Sequence, residues 1–211
     1  MKTEFLASID NTWSLFLDRD GVINKRIVGG YVKTTAEMIL LPQVAEAFSV
    51  FKQTFNHIFI VTNQQGIGKG LMTESDLQVV HAYMLQQIAT PIDAIYYCPT
   101  LAAENSLMRK PNIGMALQAK KDFPDVDFSK SVMVGDSPSD MQFGLNAGMK
   151  TVYVKGEEDF DGADLQVDTL YEFARLLTRP TDVRDMPQKA RNPSRNRCAP
   201  MQLIVYMVRR E

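Results

Sequence analysis

The sequence predicts an α/β fold in which a central parallel sheet is covered by helices on both faces. Short apolar runs alternate along the chain with longer amphipathic segments, and this alternation is typical of repeated strand–helix units. Most of the apolar runs are continuous, as expected for strands that are buried on both faces. Polar residues follow nearly every predicted strand, which is where an open parallel sheet binds its ligands.

Strands and helices are predicted in strict alternation over most of the chain. The predicted strands are Ser14–Asp18, His57–Thr62, Asp93–Cys98, Ser131–Asp136 and Lys150–Lys155. The predicted helices are Gln43–Phe55, Glu74–Ala89, Ile113–Phe123, Pro138–Ala147 and Asp168–Leu177. Thr73 and Asp76 have the spacing of a capping box at the start of the second helix. Ser137, Pro138 and Asp140 suit the N-cap, first and third positions of the fourth helix.

Two carboxylates, Asp18 and Asp20, end the first predicted strand and are followed by Gly21. Strand alternation directs both side chains to the same side of the sheet. Two carboxylates in one place repel each other unless they take different roles or share a cation. An isolated Asp-x-Asp-Gly segment is equally consistent with an ordinary turn. The ends of the other strands therefore decide between a turn and a site.

Those other strand ends carry a characteristic series of polar residues. Thr62 ends the second strand, Lys110 lies in the loop after the third, and Asp136 ends the fourth. Taken singly, Thr62 would be a strand-end residue and Lys110 a solvated surface charge. In the order Asp-x-Asp, Thr, Lys, Asp, however, they resemble the motifs of the haloacid dehalogenase-like (HAD) superfamily of phosphohydrolases. The resemblance covers residues 14 to about 155.

The resemblance implies a Rossmann-like HAD fold and hydrolysis through an aspartyl-phosphate intermediate. Asp18 would be the nucleophile and Asp20 the general acid and base, while Thr62 and Lys110 would hold the phosphoryl oxygens. The chemistry is consistent with these roles, because phosphoryl transfer depends mainly on positioning and charge neutralisation. A carboxylate can attack phosphorus and so divide the hydrolysis into two easier steps.

The same resemblance implies a Mg²⁺ cofactor. Asp18, Asp136 and the backbone carbonyl of Asp20 would bind the ion, which would screen the repulsion between the nucleophile and an anionic substrate. Asp140 and Ser137 would lie next to the ligands of this metal site and orient them. Asp140 is equally suited to a purely structural role as a helix-capping residue.

A phosphate-binding segment follows the second strand. Backbone N–H groups from Asn63 through Gln64 to Gly66 can cradle a phosphate group, and the glycine permits close approach. The residues Gly66-x-Gly68-x-Gly70 do not match a P-loop or a dinucleotide-binding fingerprint.

A closer resemblance narrows the expected substrate. Its residues are Asp18-Arg19-Asp20-Gly21-Val22-Ile23-Asn24, Gly30-Tyr31-Val32, Thr62-Asn63-Gln64-Gln65-Gly66-Ile67, Tyr96-Tyr97-Cys98-Pro99 and Arg109-Lys110-Pro111. These segments look like the HAD branch that acts on D-glycero-D-manno-heptose 1,7-bisphosphate, removing the 7-phosphate, and on histidinol phosphate. In this branch Arg109 would contact the remaining phosphate or the sugar, since arginine suits bidentate recognition of anions.

One loop departs from the pattern of that branch. The branch usually holds a structural zinc before the Arg-Lys-Pro motif, with Cys-x-His and Cys-x-Cys ligands. Here the segment from Cys98 to Lys110 contains a single thiol, which cannot form a site with four ligands. We therefore predict no zinc and expect that packing of Leu101, Leu107 and Met108 replaces the metal.

The spacing of the motifs leaves no room for a cap domain. Thr62 follows Asp20 by 42 positions, which a loop and one helix largely fill, and Lys110 follows Thr62 by 48, which a helix, a strand and a loop fill. We predict a single phosphatase domain over residues 1–178. Residues 179–211 carry eight basic and three acidic residues and are rich in proline and asparagine, which indicates a flexible or surface-wrapped tail.

Composition excludes several other classes of protein. The chain has 211 residues, 45% hydrophobic and 23% charged, which is ordinary for a globular domain. A net charge of −2 argues against a nucleic-acid partner, and no apolar run suits a membrane span. Two cysteines, Cys98 and Cys198, form no disulfide framework, so a cytoplasmic location is expected. His57 and His81 lack a partner pattern and receive no function.

Three alternatives stay open at this point. One is a phosphatase of another small metabolite, such as histidinol phosphate. Another is a nucleic-acid 3′-phosphatase, because Thr62 to Gly70 also looks like the phosphatase half of polynucleotide kinase phosphatases. The third is a phospho-accepting receiver module, whose acidic residues come in a different order along the chain. The sequence carries no signal for an oligomeric state.

Overall fold

Six parallel strands form one sheet in the computed structural model, which describes residues 4–156 and 160–178. The strands are β1 (Ser14–Leu17), β2 (His57–Asn63), β3 (Ala94–Cys98), β4 (Ser131–Gly135), β5 (Lys150–Val154) and β6 (Leu165–Val167). Their order across the sheet is β3-β2-β1-β4-β5-β6. The strand order therefore reverses at β1, and open α/β sheets bind ligands at such a point. The predicted basic tail lies outside the described residues.

Helices cover both faces of this sheet, as predicted. They are α1 (Val44–Thr54), α2 (Glu74–Ile88), α3 (Gly114–Asp122), α4 (Pro138–Ala147) and α5 (Leu170–Leu177). Short 3₁₀ helices occur at Glu4–Ser8, Ala102–Glu104 and Phe128–Lys130. Apolar side chains of α1, α2 and α5 pack on one face, and those of α3 and α4 pack on the other.

Side chains of the central strands alternate between these two cores. Leu15 and Leu17 of β1 belong to the core under α1, α2 and α5, whereas Phe16 belongs to the core under α3 and α4. In the sheet, Leu17 lies beside Ile60 of β2 and Val134 of β4. The alternation continues past the end of β1, so that Arg19 lies on the same side as Leu17, where it contacts His81 of α2.

The predicted elements all form, with ends that shift by at most two residues. Asp18, Asp136 and Lys155 lie just beyond their strands rather than within them. Helix α5 begins at Leu170, because the side chain of Thr169 caps it by accepting a hydrogen bond from the backbone N–H of Glu172. Strand β6 was missed because it has only three residues, which is too short to show a period.

The two gaps between motifs contain no cap domain, as predicted. The first gap holds α1 and a loop in which Asn24 pairs with Leu40 in an antiparallel bridge. The second gap holds α2, β3 and the 3₁₀ turn at Ala102–Glu104. Within residues 4–156 and 160–178, the helices are too short or too polar to cross a membrane.

Candidate active site

A cavity of about 440 Å³ at the carboxyl ends of β1, β2 and β4 gathers most of the predicted site residues. The predicted residues that line it are Asp18, Asp20, Thr62, Asn63, Arg109, Lys110, Asp136, Ser137 and Asp140. Gln64 and Gly66, which were predicted to bind substrate, are absent from its walls. Segments that lie far apart in the sequence meet here because the strands are parallel and their carboxyl ends share one edge.

The first carboxylate is placed by an extension of β1. The backbone N–H of Asp18 donates to the carbonyl of Val134 at 2.9 Å, which continues the pairing with β4 by one residue. The chain then turns at Gly21, whose φ of +99° lies in the left-handed region. A side chain at Gly21 would also collide with the carboxylate of Asp136. Both constraints favour glycine at this position.

Lys110 lies at the centre of the charged groups. Its buried Nζ donates to Asp18 Oδ1 and to Asp140 Oδ1, each at 2.6 Å, and to the carbonyl of Val61 at 2.7 Å. Burial alone would lower the pKa of Lys110, but the carboxylates of Asp140 and Asp18 outweigh it and raise that pKa. The ammonium group therefore keeps its charge and directs all three of its protons to acceptors.

Asn63 holds the loop that carries this lysine. Its side-chain amide donates to the carbonyl of Lys110 at 3.1 Å, and its side-chain oxygen accepts from the N–H of Lys110 at 3.0 Å. Asn63 is the last residue of β2, so the pair of hydrogen bonds joins the lysine loop to the sheet. This contact indicates a structural use of the side chain, whereas substrate binding was expected from its backbone.

Three carboxylates are close enough together to bind a cation. Oxygen atoms of Asp18, Asp136 and Asp140 lie within 4.8 Å of one another. Burial, followed by the neighbouring carboxylates, raises the pKa of Asp18 to about 7 even though Lys110 opposes the shift. Burial and Asp140 raise the pKa of Asp136 to about 6. Because a divalent cation would relieve this repulsion, and because oxygen donors suit Mg²⁺, the residues present fit the predicted ion.

Asp140 takes part in this cluster and caps α4 at the same time. Its Oδ2 accepts from the N–H of Ser137 at 3.1 Å and from the hydroxyl of Ser137 at 2.6 Å, while its Oδ1 accepts from Lys110. The structural role and the role in the site therefore coexist in one side chain. Ser137 fixes the carboxylate of Asp140, which in turn faces the lysine.

The second carboxylate of the motif, Asp20, is held firmly by its neighbours. Arg19 Nη2 donates to both of its oxygens, at 2.9 and 2.7 Å. The side-chain amides of Asn24 and Gln64 each donate to one oxygen at 2.9 Å. Burial would raise the pKa of Asp20, but Arg19 and these hydrogen bonds lower it overall. Asp20 is therefore an anion in the protein without substrate.

The segment after β2 differs in detail from the predicted phosphate cradle. The backbone N–H of Gln64 donates to the carbonyl of Cys98 at 2.7 Å, so it is not available to a phosphate. The Gln64 side chain is buried and donates to Asp20 and to Thr62 Oγ1. Gly66 instead lies against the ring of Tyr31, where an added Cβ would come within 3.0 Å of the ring. Thr62 itself lines the cavity, as predicted.

The rim of the cavity contains cationic and aromatic groups. Arg109 lines it and donates weakly to the carbonyl of Thr100 at 3.4 Å. Arg26 and Tyr31 also line it, and sequence analysis assigned neither a role. Arg26 Nη1 lies 3.3 Å from Asp136 Oδ2, with 46% of its side chain exposed. Gly29, with a φ of +67°, and Gly30, whose N–H donates to the carbonyl of Ile27, form a turn between Arg26 and Tyr31. The two glycines were the available signal in the sequence.

The loop before the Arg-Lys-Pro segment has no zinc ligand set among the described residues. Cys98 is a buried free thiol 3.1 Å from Thr100 Oγ1. The expectation that apolar packing replaces a metal is wrong for Leu107, which is 78% exposed, although Met108 does pack against a core. Hydrogen bonds hold the loop instead, including one from Asn112 Nδ2 to the carbonyl of Ser106 at 3.0 Å.

The two histidines lie in different places. His57 is at the start of β2, away from the cavity, and contacts the carboxylates of Asp93 and Asp125 at 3.2 and 2.9 Å. His81 is fully buried in the middle of α2, and its Nε2 lies 3.1 Å from Arg19 Nη1. Sequence analysis found no partner for His81 because its partner is 62 positions away in the sequence.

Comparisons with known proteins point to one kind of enzyme. The family model described as HAD-hydrolase-like matches residues 107–172. A D-glycero-alpha-D-manno-heptose-1,7-bisphosphate 7-phosphatase of Mycobacterium bovis is 37% identical over 170 residues, which cover 77% of this chain and 90% of that protein. The enzyme of the same name from Campylobacter jejuni is 42% identical over 154 residues, which cover 72% of this chain and 87% of that protein.

A solved structure is similar over the same part of the chain. It is the D,D-heptose 1,7-bisphosphate phosphatase of B. bronchiseptica, crystallised with magnesium and phosphate. It aligns with a TM-score of 0.72 at 29% identity and covers 78% of this chain and 97% of its own.

Proposed function

The chain belongs to the heptose-1,7-bisphosphate 7-phosphatase family of HAD-like hydrolases, and from this premise we propose that it removes the 7-phosphate from D-glycero-D-manno-heptose 1,7-bisphosphate. The observation that carries the proposal is the placement of Asp18 in one cavity with Lys110, Asp20 and the further carboxylates. This arrangement supplies a nucleophile, a neutralising cation and a separate acid–base group. We place the reaction in the cytoplasm, where a reducing environment keeps a thiol such as that of Cys98 free.

The reaction begins with attack by Asp18. A carboxylate oxygen of Asp18 forms a bond to the phosphorus atom as the bond from phosphorus to the sugar oxygen breaks. Lys110, which already lies 2.6 Å from Asp18, balances the negative charge that accumulates on the phosphoryl oxygens. Thr62 lines the same cavity, and its hydroxyl, which accepts a hydrogen bond from Gln64, can donate to one of those oxygens.

Asp20 would serve both halves of the reaction. In the first half it donates a proton to the departing sugar oxygen, and in the second half it takes a proton from the water that attacks the aspartyl-phosphate. Asp20 is an anion before substrate binds, because Arg19 and two amides lower its pKa. The incoming phosphate raises that pKa again, since a like charge disfavours the ionised form. Substrate binding would therefore favour the protonated form of Asp20, which the first half of the reaction needs.

The metal site proposed for Mg²⁺ consists of Asp18, Asp136 and the backbone carbonyl of Asp20, with Asp140 beside it. When bound, Mg²⁺ would supply the positive charge that lets a dianionic phosphate approach a carboxylate. The acidic side chains of the cavity are Asp18, Asp20, Asp136 and Asp140, and its basic side chains are Arg26, Arg109 and Lys110. With no added cation, this set of charges would repel a phosphate dianion.

The second phosphate of the substrate would bind at the rim. Arg109 and Arg26 both line the cavity. Guanidinium groups bind phosphate through paired hydrogen bonds, so either residue can hold the phosphate that is not cleaved. Because no cap domain covers the cavity, the sugar would lie between these arginines and the nucleophile.

A panel of substrates tests the proposal. Purified protein with Mg²⁺ would be given the heptose bisphosphate in both anomeric forms, histidinol phosphate and an oligonucleotide with a 3′-phosphate. We expect phosphate release from the bisphosphate, with heptose 1-phosphate as the other product by ³¹P NMR, and none from the Asp18→Asn variant. Faster release from histidinol phosphate or the oligonucleotide would overturn the substrate assignment. A stable phosphoprotein without turnover would point to a receiver module.

A further inference from the structure

A fully buried arginine lies directly behind the proposed acid–base residue. Arg19 separates the two carboxylates of the motif in sequence, and its side chain has no exposed surface. Burial of a guanidinium is costly unless charged and polar partners compensate for the lost hydration. The contacts of Arg19 therefore indicate why the charge is kept there.

Those contacts fix the carboxylate of Asp20. Nη2 of Arg19 bonds both of its oxygens, and Asn24 Nδ2 and Gln64 Nε2 donate to one oxygen each, all at 2.7–2.9 Å. Charge-assisted hydrogen bonds of this length are the strong ones. With four hydrogen bonds, the carboxylate of Asp20 has one orientation relative to the cavity that it lines.

His81 holds the other end of the same guanidinium. Its Nε2 lies 3.1 Å from Arg19 Nη1, and a guanidinium can only donate, so His81 accepts through Nε2 and carries its proton on Nδ1. Burial and the charge of Arg19 lower the pKa of His81 to about 3, so the ring stays neutral. Helix α2, which carries His81, is anchored by the predicted capping box of Thr73 and Asp76.

This arrangement has a cost to stability. Among the described residues, neither Arg19 Nε nor His81 Nδ1 has a hydrogen-bond partner in the protein. A buried donor without a partner destabilises the folded state, because the hydrogen bond it made to water is lost and not replaced. Local arrangements that reduce stability are expected at functional sites.

We propose that His81 and Arg19 are positioning residues for Asp20, with His81 fixing the guanidinium and the guanidinium fixing the carboxylate that transfers the proton. Neither residue touches the substrate. The inference rests on the proposed acid–base function of Asp20. Proton donation to the sugar oxygen accompanies cleavage of the bond from phosphorus to oxygen, so an alkyl phosphate needs a well-placed acid. A p-nitrophenyl phosphate does not, because its leaving group is already stable as an anion.

The test compares kcat/KM for an alkyl phosphate and for p-nitrophenyl phosphate, since this constant reports the step that forms the aspartyl-phosphate. His81→Leu removes the acceptor for Arg19 at similar volume. We expect kcat/KM to fall roughly 10- to 100-fold for the alkyl phosphate and only a few-fold for p-nitrophenyl phosphate. His81→Gln, whose side-chain oxygen can accept from Arg19, should restore the wild-type ratio of the two constants.

Controls separate positioning from a general disturbance of the fold. Tyr97→Phe alters a ring that lies beside His81, at 6.4 Å between centroids, and should leave the ratio unchanged. Arg19→Lys cannot bond both Asp20 oxygens and His81 together, so it should shift the ratio of the two kcat/KM values as His81→Leu does. It is the substitute test if His81→Leu does not fold. Equal losses on both substrates, or failure of His81→Gln to restore the ratio, would overturn the inference. Inactive wild-type protein would instead overturn the proposed function.

Discussion

At the scale of single residues, the central feature is the position of Lys110 between two carboxylates. As the proposed nucleophile, Asp18 must be an anion in order to attack phosphorus, yet burial and three neighbouring carboxylates favour its protonated form. Lys110 opposes that tendency through a contact of 2.6 Å. The nucleophile therefore depends on nearby positive charge, of which the lysine is one source and a divalent cation would be another.

Asp20→Asn tests the division of roles between the two carboxylates. The amide cannot transfer a proton, but it preserves the backbone carbonyl that is proposed to bind Mg²⁺. We expect kcat to fall roughly 10²–10⁴-fold. Calorimetric titration should show unchanged Mg²⁺ binding in the same variant. A loss of less than about tenfold would mean that another group is the acid and base.

Arg26→Gln tests whether Asp136 binds the cation. Arg26 lies 3.3 Å from Asp136 and is 46% exposed, so the ion pair competes with Mg²⁺ but is screened by solvent. An ion pair of this kind stabilises the protein without bound metal by up to about 1 kcal/mol. Its removal should therefore let Mg²⁺ bind up to about fivefold more tightly, as measured by calorimetry. Arg109→Gln is the matched control, because no contact of Arg109 with a carboxylate is described, and it should change the affinity less. Weaker binding in Arg26→Gln would contradict the assignment.

Much of the site could be predicted at this scale, because motif residues are read directly from the sequence. The exceptions are contacts between distant segments. The partner of His81 is 62 positions away and that of Arg26 is 110 positions away, so no local pattern indicates either. Gln64 was expected to bind a phosphate through its backbone N–H, but that N–H donates to the carbonyl of Cys98, and the side chain donates to Asp20.

At the scale of elements, the site depends on the reversal of strand order at β1. The reversal puts β2 and β4 on either side of β1, so that Thr62 and Asp136 flank Asp18. Lys110 arrives from beyond β3, and Asn63 attaches its loop to the sheet through two hydrogen bonds. We therefore expect the loop to place the lysine without a metal.

Metal analysis tests this account of the loop. Protein purified without added metal should contain no stoichiometric zinc, and a zinc-selective chelator should leave its melting temperature unchanged. The reason is that Cys98 is the one thiol between β3 and Lys110, whereas a structural site needs four ligands. About one zinc per chain, removed together with the folded structure, would contradict this account.

The elements themselves were largely predictable because most strands are continuous apolar runs and because α2 and α4 begin with capping boxes. The capping box of Thr73 and Asp76 and the start of α4 at Pro138 form as predicted. Strand β6 was missed because three residues carry no period. The role given to Leu107 was wrong because nothing in a short loop indicates whether an apolar side chain faces the core.

At the scale of the whole molecule, buried carboxylates link stability to pH and to Mg²⁺. The pKa of Asp18 is raised to about 7 and that of Asp136 to about 6, from 3.8 for an ordinary Asp. At pH values between 3.8 and about 7, the folded protein therefore binds more protons than the unfolded chain does. The contribution of these groups to stability is therefore fully present at low pH and is lost as the pH rises towards 7.

A thermal-shift experiment tests this linkage. Mg²⁺ competes with protons for the same oxygens, so its binding strengthens as the pH rises through the raised pKa values. The increase in melting temperature caused by Mg²⁺ should therefore be larger at about pH 8 than at about pH 5. Asp136→Asn should reduce the difference between the two conditions. Equal stabilisation at both pH values in the wild-type protein would show that these carboxylates do not bind the ion.

The most direct test of the central claim is to trap the phosphorylated enzyme. Protein that is turning over the heptose bisphosphate with Mg²⁺ would be quenched in acid and digested, and its peptides would be analysed by mass spectrometry. We predict a phosphoryl group on the side chain of Asp18 in the wild-type protein and none in Asp18→Asn. Rapid turnover with no phosphoryl group on Asp18, or with the group on another residue, would contradict the proposed mechanism.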